Sequence, residues 1–333
     1  MPSTKGLTHL SGMLALALAA GARAQYSAAP QVTFTLQDTY NASNFFQDFQ
    51  FFTGPDPTNG FVQYADAATA NANGLAGFAN NGIYLGVDYK TLNPPAGRAS
   101  VRLTSSKSYT HALIIADIAH QPASVCGSWP AFWTFGPAWP TSGEIDIIEG
   151  VNRQTNGTVT LHSSPGCSFS SSSFASGDCG APGDGTIGCG NPTQNTRTFG
   201  DGFNAIGGGI YAVLWTSDAI QVYFFPRTGR IPSDITSGQP NPSSWGQPLS
   251  SFSGGSCDID SHFKNHYLVF DTTFCGSFAG GLFSSDPVCA AKASTCEAYV
   301  GGNPGDFANS YWLINSVKVF SVNTAKRGIN FSA

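Results

Sequence analysis

Apolar and polar residues alternate in short runs along this chain, and glycine, proline and small polar residues separate the runs. RASVRLTS (98 to 105), HALIIADIA (111 to 119), TVTLHSS (158 to 164), YAVLWTSDAIQVYFF (211 to 225) and YWLINSVKVFSV (311 to 322) are the clearest. Alternation with a period of two puts successive side chains on opposite faces of an extended backbone, so each run predicts a strand. Ser217-Asp218 divides one run into a hairpin. No amphipathic run of about 12 or more residues argues for a long helix. Many short strands joined by turn residues, in a chain with 39 Gly and 20 Pro, predict an all-β fold, sandwich or barrel. The stretch from Ser168 to Gly209 is rich in Ser, Gly, Asn and Thr and carries Cys179 and Cys189. It is expected to be a long surface loop stapled by a disulfide. With no internal repeat and no Pro/Ser-rich linker, residues 25–333 are expected to form one domain.

Residues 1–24 read differently. Lys5, the apolar MLALALAA and the small-x-small Ala22-Arg23-Ala24 fit a signal peptide with Gln25 as the mature start. The apolar run is well short of the ~20 residues that a spanning helix needs, so secretion is expected rather than anchoring. All eight cysteines (126, 167, 179, 189, 257, 275, 289, 296) lie beyond the leader, which suits four disulfides in an oxidising compartment. Cys179 with Cys189 and Cys289 with Cys296 are the expected local pairs, although eight cysteines allow about a hundred connectivities. No C-x-x-C pair occurs and no histidine has metal-ligand spacing to a cysteine, which argues against zinc. Asn41, Asn156 and Asn330 begin glycosylation sequons.

Charge narrows the partners. Charged residues make up 11% of the chain, against about 25% in an ordinary soluble domain, and the formal net charge is −5. There is no basic patch for nucleic acid and no basic amphipathic stretch for a membrane surface. A weakly charged exterior with 13% aromatic residues suits a neutral polymer, and polysaccharide is the expected partner of a monomeric secreted protein.

Against that background SGEIDIIEG (142 to 150) concentrates three carboxylates. At the helical spacing of 100° per residue Ile145, Ile147 and Ile148 form no compact stripe, and the Ile-rich, Gly-bounded run favours a strand. Glu144 and Asp146 then share a face, while Glu149 points to the other side, where an unpaired carboxylate would sit in the core at high cost. A β-bulge around Ile147-Ile148 adds the one residue that returns Glu149 to the face of the other two. Three carboxylates in a row suit glycoside hydrolysis, which needs one ionised and one protonated acid flanking the scissile bond. A calcium site or a solvated acidic strand edge is the competing reading of the same residues.

The motif Glu144-Ile-Asp146-Ile-Ile-Glu149, with FFQDFQFFTGPDPTNGFVQYAD, GRASVRLTSSKSYTHALIIADI, CGSWPAFWTF, TLHSSPGC, FFPRTGRIPSDI and NSYWLINSVKVF around it, resembles the fungal secreted endo-1,3(4)-β-glucanases, or laminarinases, of glycoside hydrolase family 16. The resemblance runs over essentially the whole chain beyond the leader. It implies a concanavalin A-like jelly-roll β-sandwich of two antiparallel sheets with a concave substrate cleft. It also implies an endo-acting, retaining enzyme on β-1,3 and mixed β-1,3/1,4-glucans, with transglycosylation of fungal wall β-glucan as the alternative. Glu144 resembles the nucleophile, Glu149 the general acid/base and Asp146 the assisting carboxylate. Trp133 and Trp139 resemble the cleft tryptophans, and Arg98 and His162 the polar substrate contacts, whereas Trp129 reads as a core residue. No cofactor or catalytic metal is implied. Where close relatives read Cys-Gly-Asp-Trp, this chain has Cys275-Gly276-Ser277-Phe278, which puts the sugar contact from that segment in question, though a Phe can still stack less extensively on a pyranose face.

Overall fold

In the computed structural model, which describes residues 32–170 and 177–324, the alternating runs pair into two antiparallel sheets. The expected leader and the Asn330 sequon lie outside the described residues. From edge to edge, the seven-stranded sheet runs Cys189–Pro192, Thr158–His162, Glu144–Glu149, Ser128–Phe135, His266–Phe274, Arg102–Tyr109 and Phe49–Phe51. The eight-stranded sheet runs Ser250–Ser253, Ala219–Pro226, Gly209–Trp215, Ala112–His120, Trp312–Thr324, Gly82–Leu85 and Ala76–Ala79, with Val32–Tyr40 also paired to Trp312–Thr324. The hairpin expected at Ser217-Asp218 joins Gly209–Trp215 to Ala219–Pro226.

Alternation explains which faces meet. Phe132, Ile145, Leu161 and Phe270 of the first sheet pack in one buried cluster with Ile114, Val213, Val222 and Val317 of the second. That cluster is the core of the expected jelly-roll sandwich, and the residues between these apolar positions on the first sheet point outward, away from the core.

Ala112–His120 breaks the simple pattern by being apolar at nearly every position. Ile114, Ala116 and Ile118 face the core, while Leu113 and Ile115 belong to a second cluster with Tyr223, Phe225, Ile235 and Trp245. Ile235 lies on the short helix Ser233–Ser237, so the segment after Pro226 covers the outer face of this sheet. A strand buried on both faces has no polar side, which is why its sequence reads as a continuous apolar run.

Helices are short, the longest among the described residues being Cys296–Gly302 with 7 residues. It joins Gly281–Phe283 and Pro287–Lys292 in a helical segment packed around Phe274, Phe283, Tyr299, Val300 and Phe307. The disulfides are Cys126–Cys289, Cys167–Cys257, Cys179–Cys189 and Cys275–Cys296. The expected Cys179–Cys189 pair is present and the expected Cys289–Cys296 pair is not. The two cysteines sit on separate helices: Asp286 caps the first by accepting from Val288 N and Cys289 N, and Thr295 caps the second by accepting from Ala298 N. Each helix turns its cysteine toward a different strand end, Cys289 to Cys126 and Cys296 to Cys275.

The stretch from Ser168 to Gly209 is more structured than a surface loop. Besides its internal disulfide it supplies the sheet-edge strand Cys189–Pro192 and the helix Gly200–Ala205.

Candidate active site

The register of the acid strand Glu144–Glu149 settles the odd spacing of its carboxylates. On one side Glu144 pairs with Phe135, Asp146 with Trp133, Ile148 with Phe132 and Glu149 with Ala131, with a slip between Asp146 and Ile148. On the other side Glu144 pairs with His162, Asp146 with Thr160 and Glu149 with Thr158, with a slip between Asp146 and Glu149. Directly paired residues share a face of the sheet. Trp133, Phe135 and Ala131 alternate with the core residue Phe132, so all three acids lie on the outward face of the sheet.

Ile145, Ile147 and Ile148 are each only 1% exposed and all belong to the core. Two consecutive isoleucines facing inward are the local signature of the bulge. Burying each contributes about 1.5 to 3 kcal/mol, whereas a regular strand would turn Ile148 outward and put the Glu149 charge inside. Both terms favour the bulge.

His162 stands across from Glu144 and is clamped at both ring nitrogens. Nε2 lies 3.2 Å from Asp146 Oδ2 in an ion pair, and Nδ1 is 2.6 Å from the Gly185 carbonyl oxygen. Gly188 allows this approach, because at its φ of +67° an added Cβ would fall 2.7 Å from Nδ1. With an acceptor at each nitrogen the ring is held as the cation. Burial opposes that charge, but the contacts with Asp146, the Glu144 charge and the Gly185 carbonyl outweigh it and push the imidazole up to about 10.

Asp146 is 2% exposed. Burial, followed by the charges of Glu144 and Glu149, raises its carboxyl well above the usual range, with His162 pulling the other way. Glu149 is raised as well, again chiefly by burial; the Trp129 hydrogen bond and the His162 charge pull it down, and Glu144 pushes it up. Trp129 Nε1 donates to Glu149 Oε1 at 2.8 Å. Trp129 is therefore half-buried on the cleft face, not in the core as its sequence context suggested.

The other expected cleft residues divide. Trp139 is 44% exposed in the connection between Ser128–Phe135 and the acid strand, and Trp133 is half-buried on the outward face. Arg98 is not in the cleft: it is fully buried, and its guanidinium donates to the carbonyls of Val300, Asp88, Thr91 and Gly301 and pairs with the Asp88 carboxylate at 3.3 Å. The chain changes sheets at Val101, so Arg98–Ser100 pairs with Val62–Tyr64 while Arg102–Tyr109 joins the cleft sheet. Arg98 thereby clamps the disulfide-rich helical segment.

Arg102 occupies the cleft position instead. It pairs in register with Asp271, and its guanidinium sits 4.8 Å from the ring centres of both Trp133 and Phe52. Its buried Nε has no protein partner. Asp271, on the strand beyond the tryptophans, adds a fourth acid to this face and the third that is buried, pushed up to about 7 by burial against the pull of Arg102. Both arginines lie in the one alternating run RASVR, Arg98 before the change of sheet and Arg102 after it.

Among the described residues two groups could offer a cation three ligands. Cys167, Cys257 and His262 form one, but its sulfurs are joined as a disulfide. Glu144, Asp146 and His162 form the other, and its imidazole is already engaged at both nitrogens, by the Asp146 carboxylate and the Gly185 carbonyl. The donor set suits proton chemistry better than metal binding.

The described fold and site can be set beside known proteins. An endo-1,3(4)-β-glucanase of Arthroderma benhamiae is 43% identical over 302 residues, covering 88% of this chain and 66% of its own length. The chain spans about half the length of most of the other curated fungal relatives that it matches. Among solved structures, laminarinase 16A from Phanerochaete chrysosporium, determined with 6-O-glucosyl-laminaritriose in donor and acceptor sites, is 39% identical with a TM-score of 0.81. A family 16 elongating β-1,3-glucosyltransferase is 39% identical with a TM-score of 0.79. Each of these two structures is covered over 100% of its chain by 87% of this one. A model described as an XgeA-like, catalytic GH16 domain matches residues 49–320. That span holds the bulged acid strand, both tryptophan positions beside it and the strands that wall the cleft, and the chain belongs to this family of glycoside hydrolase family 16 catalytic domains.

Proposed function

We propose that the protein is a secreted, endo-acting, retaining β-glucanase that hydrolyses β-1,3 and mixed β-1,3/1,4-glucans. The observation that carries this reading is the bulge that brings Glu149 onto the face of Glu144. Glu144 attacks the anomeric carbon while Glu149 gives its proton to the departing glycosidic oxygen, leaving a glycosyl ester on Glu144. Glu149, now ionised, takes a proton from water, whose oxygen displaces Glu144 and regenerates the acid with the sugar configuration retained.

The electrostatics support that division of labour. His162 as a cation offsets one carboxylate of the row, and burial favours the protonated form of Glu149 that the first step needs. An exposed Trp139, and Arg102 beside Trp133 with an unfilled donor, suit a neutral sugar chain that offers both ring faces and hydroxyl acceptors. The four disulfides and the fungal glucanase relatives support an extracellular location.

Incubation with laminarin, lichenan and barley glucan, with product sizing over time, tests the reading. Early release of mixed oligosaccharides is expected, and no depolymerisation of any of the three would overturn it. A second reading, transfer of the glycosyl group to a sugar acceptor, gains weight from the likeness to the elongating β-1,3-glucosyltransferase. Products longer than a supplied laminari-oligosaccharide would favour it.

Two further outcomes follow from the site. Trp139→Ala is expected to lower kcat/KM on laminarin by about tenfold, the worth of one lost ring stack of about 1 to 1.5 kcal/mol. A ring that is 44% exposed holds little of the core, so the melting temperature is expected to stay within about 2 °C. A large fall in melting temperature with unchanged activity would contradict the assignment.

His162→Ala leaves Asp146 buried without its cation and is expected to cost about 3 to 5 kcal/mol of stability. Its folded-state value of about 10 exceeds the ordinary imidazole value of about 6.5. The stabilisation from this charge is therefore complete below pH ~6.5 and is lost as pH rises through about 10. The gap in melting temperature between wild type and variant should narrow over that window, and a gap independent of pH would contradict the ion pair.

A further inference from the structure

The turn that follows the cleft strand His266–Phe274 is held in a costly conformation. Cys275 has φ +60° and ψ −110°, a region that non-glycine residues avoid, and Gly276 follows at φ +60°. Such a residue costs about 1 to 3 kcal/mol and persists only where its surroundings over-determine it. Here they do. Cys275 N donates to Gly127 O at 2.8 Å, its sulfur is bonded to Cys296, and Ser277 N donates to Thr58 O at 2.9 Å. An added Cβ on Gly276 would come 2.7 Å from Thr58 O.

Asn152, three residues beyond Glu149, ties this turn to the acid strand. Its Nδ2 donates to Ala279 O at 2.9 Å and its Oδ1 accepts from Gly127 N at 2.7 Å. One side chain thus links the exit of the acid strand, the entry to the tryptophan strand and the single wide turn Gly276–Gly280.

What this clamped turn presents is Phe278, half-buried, with its ring 5.5 Å from the Trp129 ring at an interplanar angle of 86°. That edge-to-face contact is the favoured aromatic geometry, worth about 0.5 to 1.5 kcal/mol beyond burial. Trp129 is the donor to Glu149 Oε1. Phe278 touches the indole that touches the acid.

We propose that Phe278 is a positioning residue, which fixes the Trp129 indole so that its N–H stays on the Glu149 carboxyl. The proposal rests on the acid/base role given to Glu149 above. It assigns to this segment a task other than stacking on sugar, and it explains why a strained turn is fastened at so many points.

The consequence has a definite sign. A hydrogen bond from the indole N–H favours the ionised carboxylate, so loosening it leaves burial less opposed and Glu149 keeps its proton to higher pH. The other ionisable groups that face Glu149 are Glu144 and Asp146 on its own strand, His162 on one flank and Asp271 on the other, and none is altered by changing Phe278.

The experiment compares wild type, Phe278→Ala, Phe278→Leu and Phe278→Trp by two readouts. One is the pH profile of kcat/KM on laminarin, and the other is the titration of Glu149 by carboxyl NMR of the full chain, assigned with Glu149→Gln. Phe278→Ala is expected to raise both the alkaline limb and the Glu149 titration by about half to one pH unit, with KM changed less than about twofold. Phe278→Leu, which keeps apolar bulk and guards against simple misfolding, should show a smaller shift in the same direction, and Phe278→Trp should restore the wild-type values. Trp129→Phe should shift Glu149 upward as well, and adding Phe278→Ala to it should shift it no further. An unchanged Glu149 titration in Phe278→Ala with a raised KM would overturn the proposal and make Phe278 a substrate contact. A Glu149 titration that moves while the kinetic limb stays put would leave the positioning intact and overturn the acid/base reading instead.

Discussion

Glu144→Ala is expected to remove turnover of laminarin, lichenan and barley glucan by about four orders of magnitude or more, because the reaction loses its attacking group. Glu144 is half-buried on the outward face, paired across the sheet with Phe135 and His162, so its removal leaves the core packing of Ile145, Ile147 and Ile148 in place. The variant should stay folded. Azide enters the space of the missing carboxylate and attacks the same face of the sugar, while Glu149 still protonates the leaving oxygen. Turnover should return with added azide and yield the glycosyl azide of inverted configuration. Activity on laminarin close to wild type would sink the glucanase reading outright, and rescue with retained configuration would exchange the two glutamates.

Glu149→Ala should fail in a different way. The nucleophile remains, so substrates whose leaving group needs no proton, such as an activated aryl glycoside, should still form the glycosyl ester, while laminarin turnover falls by about two to four orders of magnitude. The ester then accumulates, because no base activates water. Azide, which needs no base, should speed its breakdown and give a product of retained configuration. The variant also strands the Trp129 N–H, whose acceptor is Glu149 Oε1. A modest loss of stability, about 1 kcal/mol, is expected from that unpaired donor. Equal loss on laminarin and on the activated glycoside would contradict the acid/base role.

The acid row was legible in the sequence because two short-range rules conflicted there. Period-two geometry sent Glu149 to the core side, the cost of a buried charge forbade it, and a bulge was the cheapest reconciliation. The slip between Asp146 and Ile148 is where that reasoning put it. The hairpin at Ser217-Asp218 was equally local.

What escaped the sequence was set by contacts between distant segments. Arg98 and Arg102 lie in one alternating run, and only the passage from one sheet to another at Val101 decides that the first is a buried clamp and the second a cleft residue. Cys289 and Cys296 are near in sequence, yet separate helix caps aim them at Cys126 and Cys275. Trp129 read as a core residue, and its donor role depends on a register across two strands. Ala112–His120 gave its fold but hid its second apolar neighbour, the segment carrying Ile235 and Trp245.

The central claim is that Glu144 forms a covalent bond to the sugar while Glu149 handles the proton. Treating the protein with a 2-deoxy-2-fluoro laminari-oligosaccharide carrying a good leaving group slows breakdown of the ester enough to capture it. Peptide mass mapping after digestion then locates the sugar. A single adduct on Glu144 is the expected result, and an adduct on Glu149 or Asp146, or turnover of the reagent with inversion and no adduct, would contradict the account.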